Sequence, residues 1–270
     1  MVTSFVVFVA LFLAPVFSAS SRHSAIDDWQ LAYFKKYGYL EHARRSNVNA
    51  VIASAITTFQ QNFGINPTGI LDVETVSAME APRCGVPDII NGTNYMQPRN
   101  YSSKFTLFPY SPKWKKYDLK YLLTEDHFPP AAKFPLDLAF TEWHSYTDFI
   151  FSEGQGFSDS ELSIGFYSRD HGDGSPFDGP GLVVGHAWPP ENGIAHFDAD
   201  ENWSYDSING TPDDAVDFET AALHEIGHML GLEHSTVQSA VMFPFFNLGE
   251  RKRLDDDDIN GIRFLYGNHV

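Results

Sequence analysis

Apolar residues in the N-terminal third of the chain recur with the spacing of α-helices. Aromatic side chains return every fourth position at Trp29, Tyr33 and Tyr37. Residues 50–63, AVIASAITTFQQNF, place a single apolar stripe along a second helix. Asp72 can begin a third helix, because an aspartate oxygen accepts hydrogen bonds from the free N–H groups of a first turn. The pattern predicts three short helices that share one small core.

The rest of the chain mixes short apolar runs typical of strands with a few longer helical patterns. The predicted strands are residues 115–123, 149–151, 162–167 and 182–187, and the predicted helices are residues 130–144, the segment that begins at His224, and residues 255–266. Strands and helices do not alternate regularly, so the prediction is an α+β domain rather than a parallel α/β sheet.

Charge divides the chain in the same way. The net charge is −17, yet residues 1–105 hold 8 basic and 7 acidic residues, whereas residues 106–270 hold 10 and 28. Phosphates would be repelled by the acidic half, which argues against nucleic acid as a partner. Carboxylates in such numbers either form a solvated surface or, where they cluster, bind calcium.

The first residues predict entry into the secretory pathway. Residues 1–20 are uncharged, mostly apolar and end in small side chains, as in a signal peptide, with an uncleaved membrane anchor as the alternative. No later run is apolar enough to span a bilayer, so we expect no membrane span after signal removal. Four sequons for N-glycosylation fit a secreted glycoprotein: Asn91, Asn100, Asn202 and Asn209.

The segment HEIGHMLGLEH, residues 224–234, predicts a catalytic metal site. His224 and His228 lie four residues apart, so they share one face of a helix. Gly231 allows the chain to turn back and bring His234 to the same ion, because glycine accepts positive φ at little cost. Three neutral nitrogen ligands leave a fourth zinc position open, which is typical of a catalytic site.

Cys84 is the single cysteine of the chain, so no internal disulfide is possible. The flanking prolines of APRCGVPD disfavour a helix and leave the thiol on an extended segment. Such a thiol is buried and inert, paired with another chain, or functional. Because a thiolate is a strong zinc ligand, we favour a role in which Cys84 fills the open position. Residues 89–112, rich in Asn, Gly, Ser and Pro, are predicted to be an exposed, cleavable linker.

Residues 170–201 hold a second group of candidate metal ligands. Four nitrogen or carboxylate ligands, which would close a tetrahedral structural zinc site, are His171, Asp173, His186 and His196. Three carboxylates lie among glycines that expose carbonyl oxygens, as calcium requires: Asp178, Asp198 and Glu201.

Together these motifs resemble the matrixins, the matrix metalloproteinase family of the metzincin clan. HEIGHMLGLEH followed by Met242 resembles the metzincin zinc helix with its Met-turn. PRCGVPD resembles the cysteine switch, and HGDGSPFDGPG with GHA and AHFDADE resembles the matrixin structural zinc and calcium loop. The run FQQNFGINPTGILDVETVSAM resembles the peptidoglycan-binding-like fold of zymogen propeptides. The chain resembles the minimal matrixins, which have no hemopexin-like domain and include those of plants.

The resemblance implies a domain order and a metzincin-type fold. It implies a signal peptide at 1–20, a helical propeptide at 21–88, a linker and activation region at 89–112, and a catalytic domain at 113–270, with a twisted mixed sheet and about three helices.

The resemblance also implies roles for particular residues. The catalytic zinc ligands would be His224, His228 and His234, with Glu225 as general base and Cys84 as the fourth ligand of the latent form. The structural zinc ligands would be His171, Asp173, His186 and His196. Calcium would be held by Asp178, Asp198, Glu201 and the carbonyls of Gly179, Gly181 and Val183. Arg83 and Asp88 would fix the switch segment, and Met242 would form the Met-turn.

The predicted function is therefore a secreted, self-inhibited zinc endopeptidase of the extracellular space, cell wall or matrix. Expected partners are extracellular protein substrates with a hydrophobic residue after the cut, and an activating protease; we expect a monomer. Two alternatives remain at this point. One is a zinc amidase acting on cell-wall glycopeptides, and the other is a non-catalytic module that binds wall polymers through its helical domain.

Overall fold

The structure, a computed structural model, describes residues 26–40, 48–97, 104–124 and 128–267. The predicted signal peptide and the sequon at Asn100 lie outside these residues. We refer to residues 26–97 as the N-terminal unit and to residues 104–267 as the C-terminal unit. Nowhere in the described chain is there a helix both long and apolar enough to cross a membrane.

The α-helices of the described residues fall into two groups of three. The N-terminal unit holds α1 (Asp28–Lys36), α2 (Val48–Asn62) and α3 (Val73–Met79), and the C-terminal unit holds α4 (Lys133–Ser145), α5 (Phe218–Met229) and α6 (Asp256–Tyr266). The three predicted N-terminal helices are confirmed. Asp72 caps α3 as expected, because its side chain accepts the Thr75 N–H.

Strands of the N-terminal unit are short: β1 (Arg83–Cys84), β2 (Ile89–Ile90) and β3 (Thr93–Asn94). Those of the C-terminal unit are β4 (Asp118–Leu123), β5 (Ile150–Glu153), β6 (Leu162–Tyr167), β7 (Val183–Ala187), β8 (Ile194–Asp198), β9 (Trp203–Ser204) and β10 (Val216–Asp217). The α+β prediction is confirmed. Sequence analysis missed β8, because a short stretch that carries the candidate metal ligands His196 and Asp198 is more typical of a loop than of a strand.

One mixed sheet connects the two units. Its strand order is β1-β7-β8-β6-β4-β5. Neighbouring strands run parallel except for β7, which is antiparallel to β8. Strand β1 comes from the N-terminal unit and pairs with the edge strand β7 of the C-terminal unit. The N-terminal unit thus covers a sheet edge that would otherwise be open to another extended peptide.

The main core lies between this sheet and helices α4 and α5. Every residue of α5 is buried. The indole N–H of Trp143 on α4 donates to the Leu223 carbonyl of α5 over 2.9 Å. A Cβ at Gly227 would collide with the Met242 sulfur and the Trp143 ring, so only glycine permits this close packing. Helix α5 is therefore fixed on both sides before any metal is considered.

The N-terminal unit has a smaller aromatic core that the C-terminal unit completes. Phe34 and Phe59 are fully buried at its centre. Phe245 of the C-terminal unit belongs to the same cluster, and its ring centroid lies 4.8 Å from that of Phe63. The boundary between the two units is therefore a continuous apolar contact, not only a strand pairing.

The predicted linker is less exposed than we expected. Residues 89–94 form the β2–β3 hairpin, and Met96 is fully buried. After residues 98–103, which lie outside the described chain, Thr106 and Phe108 are again buried. The prediction of exposure is wrong for these parts, because apolar side chains among the Asn, Gly and Ser residues pack onto the neighbouring units.

Candidate active site and metal centres

Helix α5 presents the first part of the site. Its N-cap is Asp217, whose side chain accepts the Thr220 N–H over 2.8 Å. The helix carries His224 and His228 on one face, with Glu225 beside them, and all three side chains are buried. A buried helix with its first turn capped holds these groups in fixed positions.

The end of α5 brings in the third histidine. Gly231 has φ of 105°, a conformation that favours glycine, and the Leu232 N–H returns to the Gly227 carbonyl over 3.0 Å. A Cβ at Gly231 would also lie 2.5 Å from the Pro112 carbonyl oxygen. The chain therefore reverses at Gly231 and places the buried His234 opposite the helix.

Hydrogen bonds orient two of the three imidazoles. The Nδ1 of His224 lies 2.7 Å from the Val241 carbonyl, and the Nδ1 of His228 lies 2.8 Å from the Leu232 carbonyl. A carbonyl only accepts, so each Nδ1 is the donor and each Nε2 is left with a lone pair. Such outer hydrogen bonds are typical of metal-binding histidines.

The ligand atoms of Cys84, His224, His228 and His234 all lie within 4.8 Å of one another. The Cys84 sulfur is 3.5 Å from His228 Nε2. Within the described chain, the Nε2 atoms of His224 and His234 are buried without a hydrogen-bond partner. Orphaned buried nitrogens converging on one point fit a zinc ion, and nitrogen with sulfur is a donor set that zinc prefers.

Main-chain hydrogen bonds hold Cys84 in the cleft between β7 and residues 244–246. The Cys84 N–H donates to the Pro244 carbonyl, and the Gly85 N–H donates to the Gly185 carbonyl, each over 2.8 Å. Burial raises the pKa of the Cys84 thiol, and the charge of Glu225 raises it further. A cation at the histidines would oppose both effects and favour the thiolate.

Glu225 is fully buried, and neither carboxylate oxygen has a hydrogen-bond partner in the described chain. Burial raises its pKa to about 8, although contact with Cys84 lowers it in part. A neighbouring dication would favour the ionised form. An ionised carboxylate at this position can accept a proton from a neighbouring water molecule, as a general base must.

A buried ion pair fixes the segment that carries Cys84. Arg83 donates to the two Asp88 oxygens over 2.7 and 3.2 Å and to the Tyr33 hydroxyl over 2.8 Å. Its guanidinium also lies 3.5 Å from the Tyr37 ring centroid. Burial alone would raise the pKa of Asp88, but Arg83 and His234 lower it to about 2. The Tyr39 hydroxyl donates to Asp88 over 2.7 Å.

The second predicted cluster also forms in the structure. One oxygen of Asp173 lies 2.6 Å from a nitrogen of His171 and 2.9 Å from nitrogens of His186 and His196. Burial lowers the pKa of His186 to about 4, which leaves its imidazole neutral and able to bind a metal. Four such ligands with no open position fit a structural zinc site.

Three carboxylates of the adjacent loop influence one another. Burial raises the pKa of Glu201 to about 7, and the charges of Asp198 and Asp178 raise it further. Glycines with positive φ shape this loop, and the Gly179 N–H donates to Asp198 over 3.2 Å. One Glu201 oxygen is buried without a partner in the described chain. Clustered, partly unpaired carboxylates of this kind fit a hard cation such as calcium.

Other predicted positions fall in varied surroundings. Met242 is buried beside Gly227 of α5. Gly181 and Val183 lie at the start of the β7 edge. The exposed Asn91 sits at the β2–β3 turn. The side chains of Asn202 and Asn209, also exposed, hydrogen bond to Asp214 and Asp206.

Sequence analysis missed several residues around the site. It did not identify the tyrosines around Arg83, which are Tyr33 and Tyr37. It also missed the contact of Phe245 with the N-terminal unit and the buried Glu233 next to His234. The four-residue spacing of Tyr33 and Tyr37 was visible, but nothing in it indicated an arginine about fifty positions away. Glu233 could have been suspected as an acidic residue inside the zinc motif.

Comparison with known proteins decides the family. The family described as Matrixin matches residues 113–267, and the one described as "Putative peptidoglycan binding domain" matches residues 31–79. The chain belongs to the matrixin family. As a matrixin it is a zinc metalloendopeptidase, which confirms the family and the class of enzyme predicted from the motifs.

Similar matrixin sequences come from plants and animals. Metalloendoproteinase 2-MMP of Arabidopsis thaliana is 38% identical over 268 residues, covering 87% of this chain and 69% of that protein. Metalloendoproteinase 1 of Glycine max is 40% identical over 243 residues, covering 87% and 80%. Stromelysin-1 of Equus caballus is 38% identical over 267 residues, covering 93% and 51%.

Proposed function

We propose that this matrixin is secreted as a latent zinc endopeptidase in which Cys84 blocks the catalytic metal. The observation that carries the proposal is the position of the Cys84 sulfur among His224, His228 and His234, next to Glu225. In this arrangement the thiol occupies the place that a reacting water would need.

The three histidines would hold the catalytic ion, and Glu225 would act as general base. A zinc ion there would polarise the scissile carbonyl and acidify a water molecule. Glu225 takes the proton of the attacking water and passes it to the leaving amine nitrogen as the peptide bond breaks.

The cleft that now holds residues 82–86 would receive the substrate. Main-chain hydrogen bonds from Arg83, Cys84 and Gly85 use one edge of β7 and the carbonyl of Pro244. An extended peptide can form a ladder with the same groups once that segment has left. The Phe246 ring lies 5.2 Å from the His224 ring and supplies an apolar wall, which favours a hydrophobic residue after the cut.

The second metal cluster and the acidic loop would stiffen this cleft. His186 lies on β7, three residues after Val183, so a zinc ion at His171, Asp173, His186 and His196 would tie the substrate-binding strand to the preceding loop. Calcium at Asp178, Asp198 and Glu201 would neutralise three clustered carboxylates in the same region.

Secretion, processing and partners complete the proposal. Residues 1–20 would be removed as a signal peptide, and an activating protease would cut within residues 89–112. Substrates would be extracellular proteins of the cell wall or matrix, and the enzyme would act as a monomer. Asn91, Asn202 and Asn209 would be candidate glycosylation sites, because all three are exposed.

The match of residues 31–79 to a peptidoglycan-binding family favours cell-wall polymers as a second candidate target. The protein would then be an amidase that cuts these polymers or a module that binds them. In this chain, however, the helical unit packs its aromatic core on Phe245 of the C-terminal unit. A binding module needs neither Glu225 nor Cys84, so the buried pair supports the endopeptidase.

The test is cleavage of a peptide library by the full chain, activated with a thiol-modifying reagent in the presence of zinc and calcium. Glu225→Gln keeps the shape of the side chain but removes the base, so activity should fall by about 10²- to 10⁴-fold while zinc remains bound. Glu250→Gln changes an exposed glutamate of the same unit and should leave cleavage unchanged.

Activity in the Glu225→Gln variant equal to that of the wild type would remove Glu225 from the mechanism. Failure of the activated wild type to cut any peptide, with release of fragments from wall glycopeptides instead, would favour the amidase.

A further inference from the structure

We propose that Glu233 is a positioning residue for the third zinc ligand, His234, and that it takes over this role from Asp88 when the N-terminal unit leaves. The inference rests on the proposed catalytic site and concerns how that site changes on activation. It assigns a function to a buried carboxylate that the proposed reaction does not use.

The three histidines differ in how their outer nitrogens are held. His224 and His228 donate to backbone carbonyls of Val241 and Leu232, which belong to the C-terminal unit and remain after activation. In the described chain, His234 Nδ1 makes no well-aligned hydrogen bond. His234 is therefore the ligand whose orientation depends on side chains rather than on the backbone.

Two carboxylates lie close to His234 Nδ1. Asp88 Oδ1 is 3.3 Å away, and Glu233 Oε1 is 3.7 Å away, with both side chains fully buried. Asp88 is held from its other sides by Arg83 and by the Tyr39 hydroxyl. All three of these groups belong to the N-terminal unit, so removal of that unit takes the nearer carboxylate away from His234.

Glu233 remains, and its side chain is only partly engaged. Its Oε1 accepts the His234 main-chain N–H over 3.1 Å, whereas Oε2 is buried without a partner in the described chain. No lysine or arginine among the described residues forms an ion pair with it. A structural carboxylate would be expected to have both oxygens satisfied.

A small movement of the Glu233 side chain would let it replace Asp88 as the partner of His234 Nδ1. The Glu233 main chain is held in the latent form, because its N–H donates to the Thr106 carbonyl over 3.0 Å. The Thr106 hydroxyl donates to the His234 carbonyl over 2.7 Å. Rotation of the Glu233 side chain would shorten the contact with Nδ1 to about 2.9 Å, a normal hydrogen bond. The charged acceptor would then fix the imidazole tautomer and strengthen the histidine as a ligand.

The experiment measures zinc affinity in two forms of the same chain. A recognition sequence for a specific protease, inserted within residues 98–103, allows the N-terminal unit to be removed from the purified full-length protein. Zinc affinity is then determined by competition with a fluorescent chelator before and after removal, for wild type, Glu233→Gln and Glu233→Ala. Glu250→Ala serves as the control for an exposed glutamate of the same unit.

In the processed form we expect Glu233→Ala to weaken zinc binding by about 10- to 100-fold, the usual effect of losing an outer partner. Glu233→Gln retains a neutral acceptor and should lose less. In the full-length form both variants should bind zinc as the wild type does, because Asp88 is still present.

Equal losses of zinc affinity in the full-length and processed forms would contradict the replacement of Asp88 by Glu233. Glu233 would then have only a general role in packing. Unchanged affinity of both variants in the processed form would overturn its role toward His234. If Glu233→Ala fails to fold, Glu233→Gln decides the matter alone. Zinc affinity is measured without any substrate, so a negative result here is distinct from a failure of the proposed endopeptidase activity.

Discussion

At the scale of single residues, the site depends on groups whose buried polar atoms point at one place. Cys84 and Glu225 are both buried. Burial raises the pKa of each side chain and so favours its uncharged form. Neither would be stable there as an anion without a cation nearby. The arrangement is therefore consistent with a metal at the three histidines and with little else.

The ligand residues could be predicted from sequence because their geometry is local. A spacing of four on one helix and a glycine at the turn bring three histidines together. The tyrosine contacts of Arg83 could not be predicted in this way, because Tyr33 and Tyr37 lie about fifty positions away in the chain. Arg83 meets Tyr33 and Tyr37 only when the segment that carries Cys84 packs against the end of α1.

Cys84→Ser should remove latency. A serine hydroxyl is a much weaker zinc ligand than a thiolate, so the uncleaved variant should hydrolyse peptides without a thiol-modifying reagent. The measurement is the rate of peptide cleavage by the full-length chain before any processing, confirmed by gel electrophoresis. Ser77→Ala, a change on the exposed face of α3, is the control. Latency of the Cys84→Ser variant equal to that of the wild type would show that the thiol does not block the site.

At the scale of elements, α5 depends on its cap. Asp217 accepts the Thr220 N–H with one oxygen and binds Arg251 with the other, at 2.8 Å in each case. Sequence analysis predicted the zinc motif but missed this cap, since Asp217 also ends the short strand β10. The same limit applies to β1 and β7, whose pairing joins residues about one hundred positions apart.

Asp217→Ala should destabilise the C-terminal unit by about 2–4 kcal/mol, because it removes a helix cap and the carboxylate nearest to Arg251. Asp217→Asn keeps a capping oxygen and should cost less than the alanine change. Chemical denaturation followed by circular dichroism measures both. Asp72→Ala removes the cap of α3 and should affect only the N-terminal unit, by about 1 kcal/mol. Equal stability of Asp217→Ala and wild type would contradict the importance of the cap.

At the scale of the whole molecule, two metal clusters and a mixed sheet form one framework. Strand β7 carries His186 of the second cluster and also pairs with β1. Loss of metal from the second cluster should therefore loosen the edge that holds the N-terminal unit, as well as the loop itself.

Removal of metal should lower the thermal unfolding midpoint of the full chain, because an ion that binds only the folded state stabilises it by mass action. Scanning calorimetry with and without a strong chelator measures the shift. His186→Ala should already unfold at a lower temperature, and the chelator should shift it less than the wild type. His144→Ala, a histidine outside both clusters, should respond to chelator as the wild type does. An identical midpoint with and without chelator would exclude structural metal.

The contact of Phe245 with the aromatic core of the N-terminal unit has a consequence for how such an enzyme can change. Residues 244–246 line the proposed substrate cleft and, through Phe245, also pack against Phe63 and the Arg83 guanidinium. A mutation here that alters which peptides are cut also alters how firmly the inactive form is held. Substrate specificity and the stability of the inactive form therefore depend on the same few side chains. Selection that changes one of these properties also changes the other.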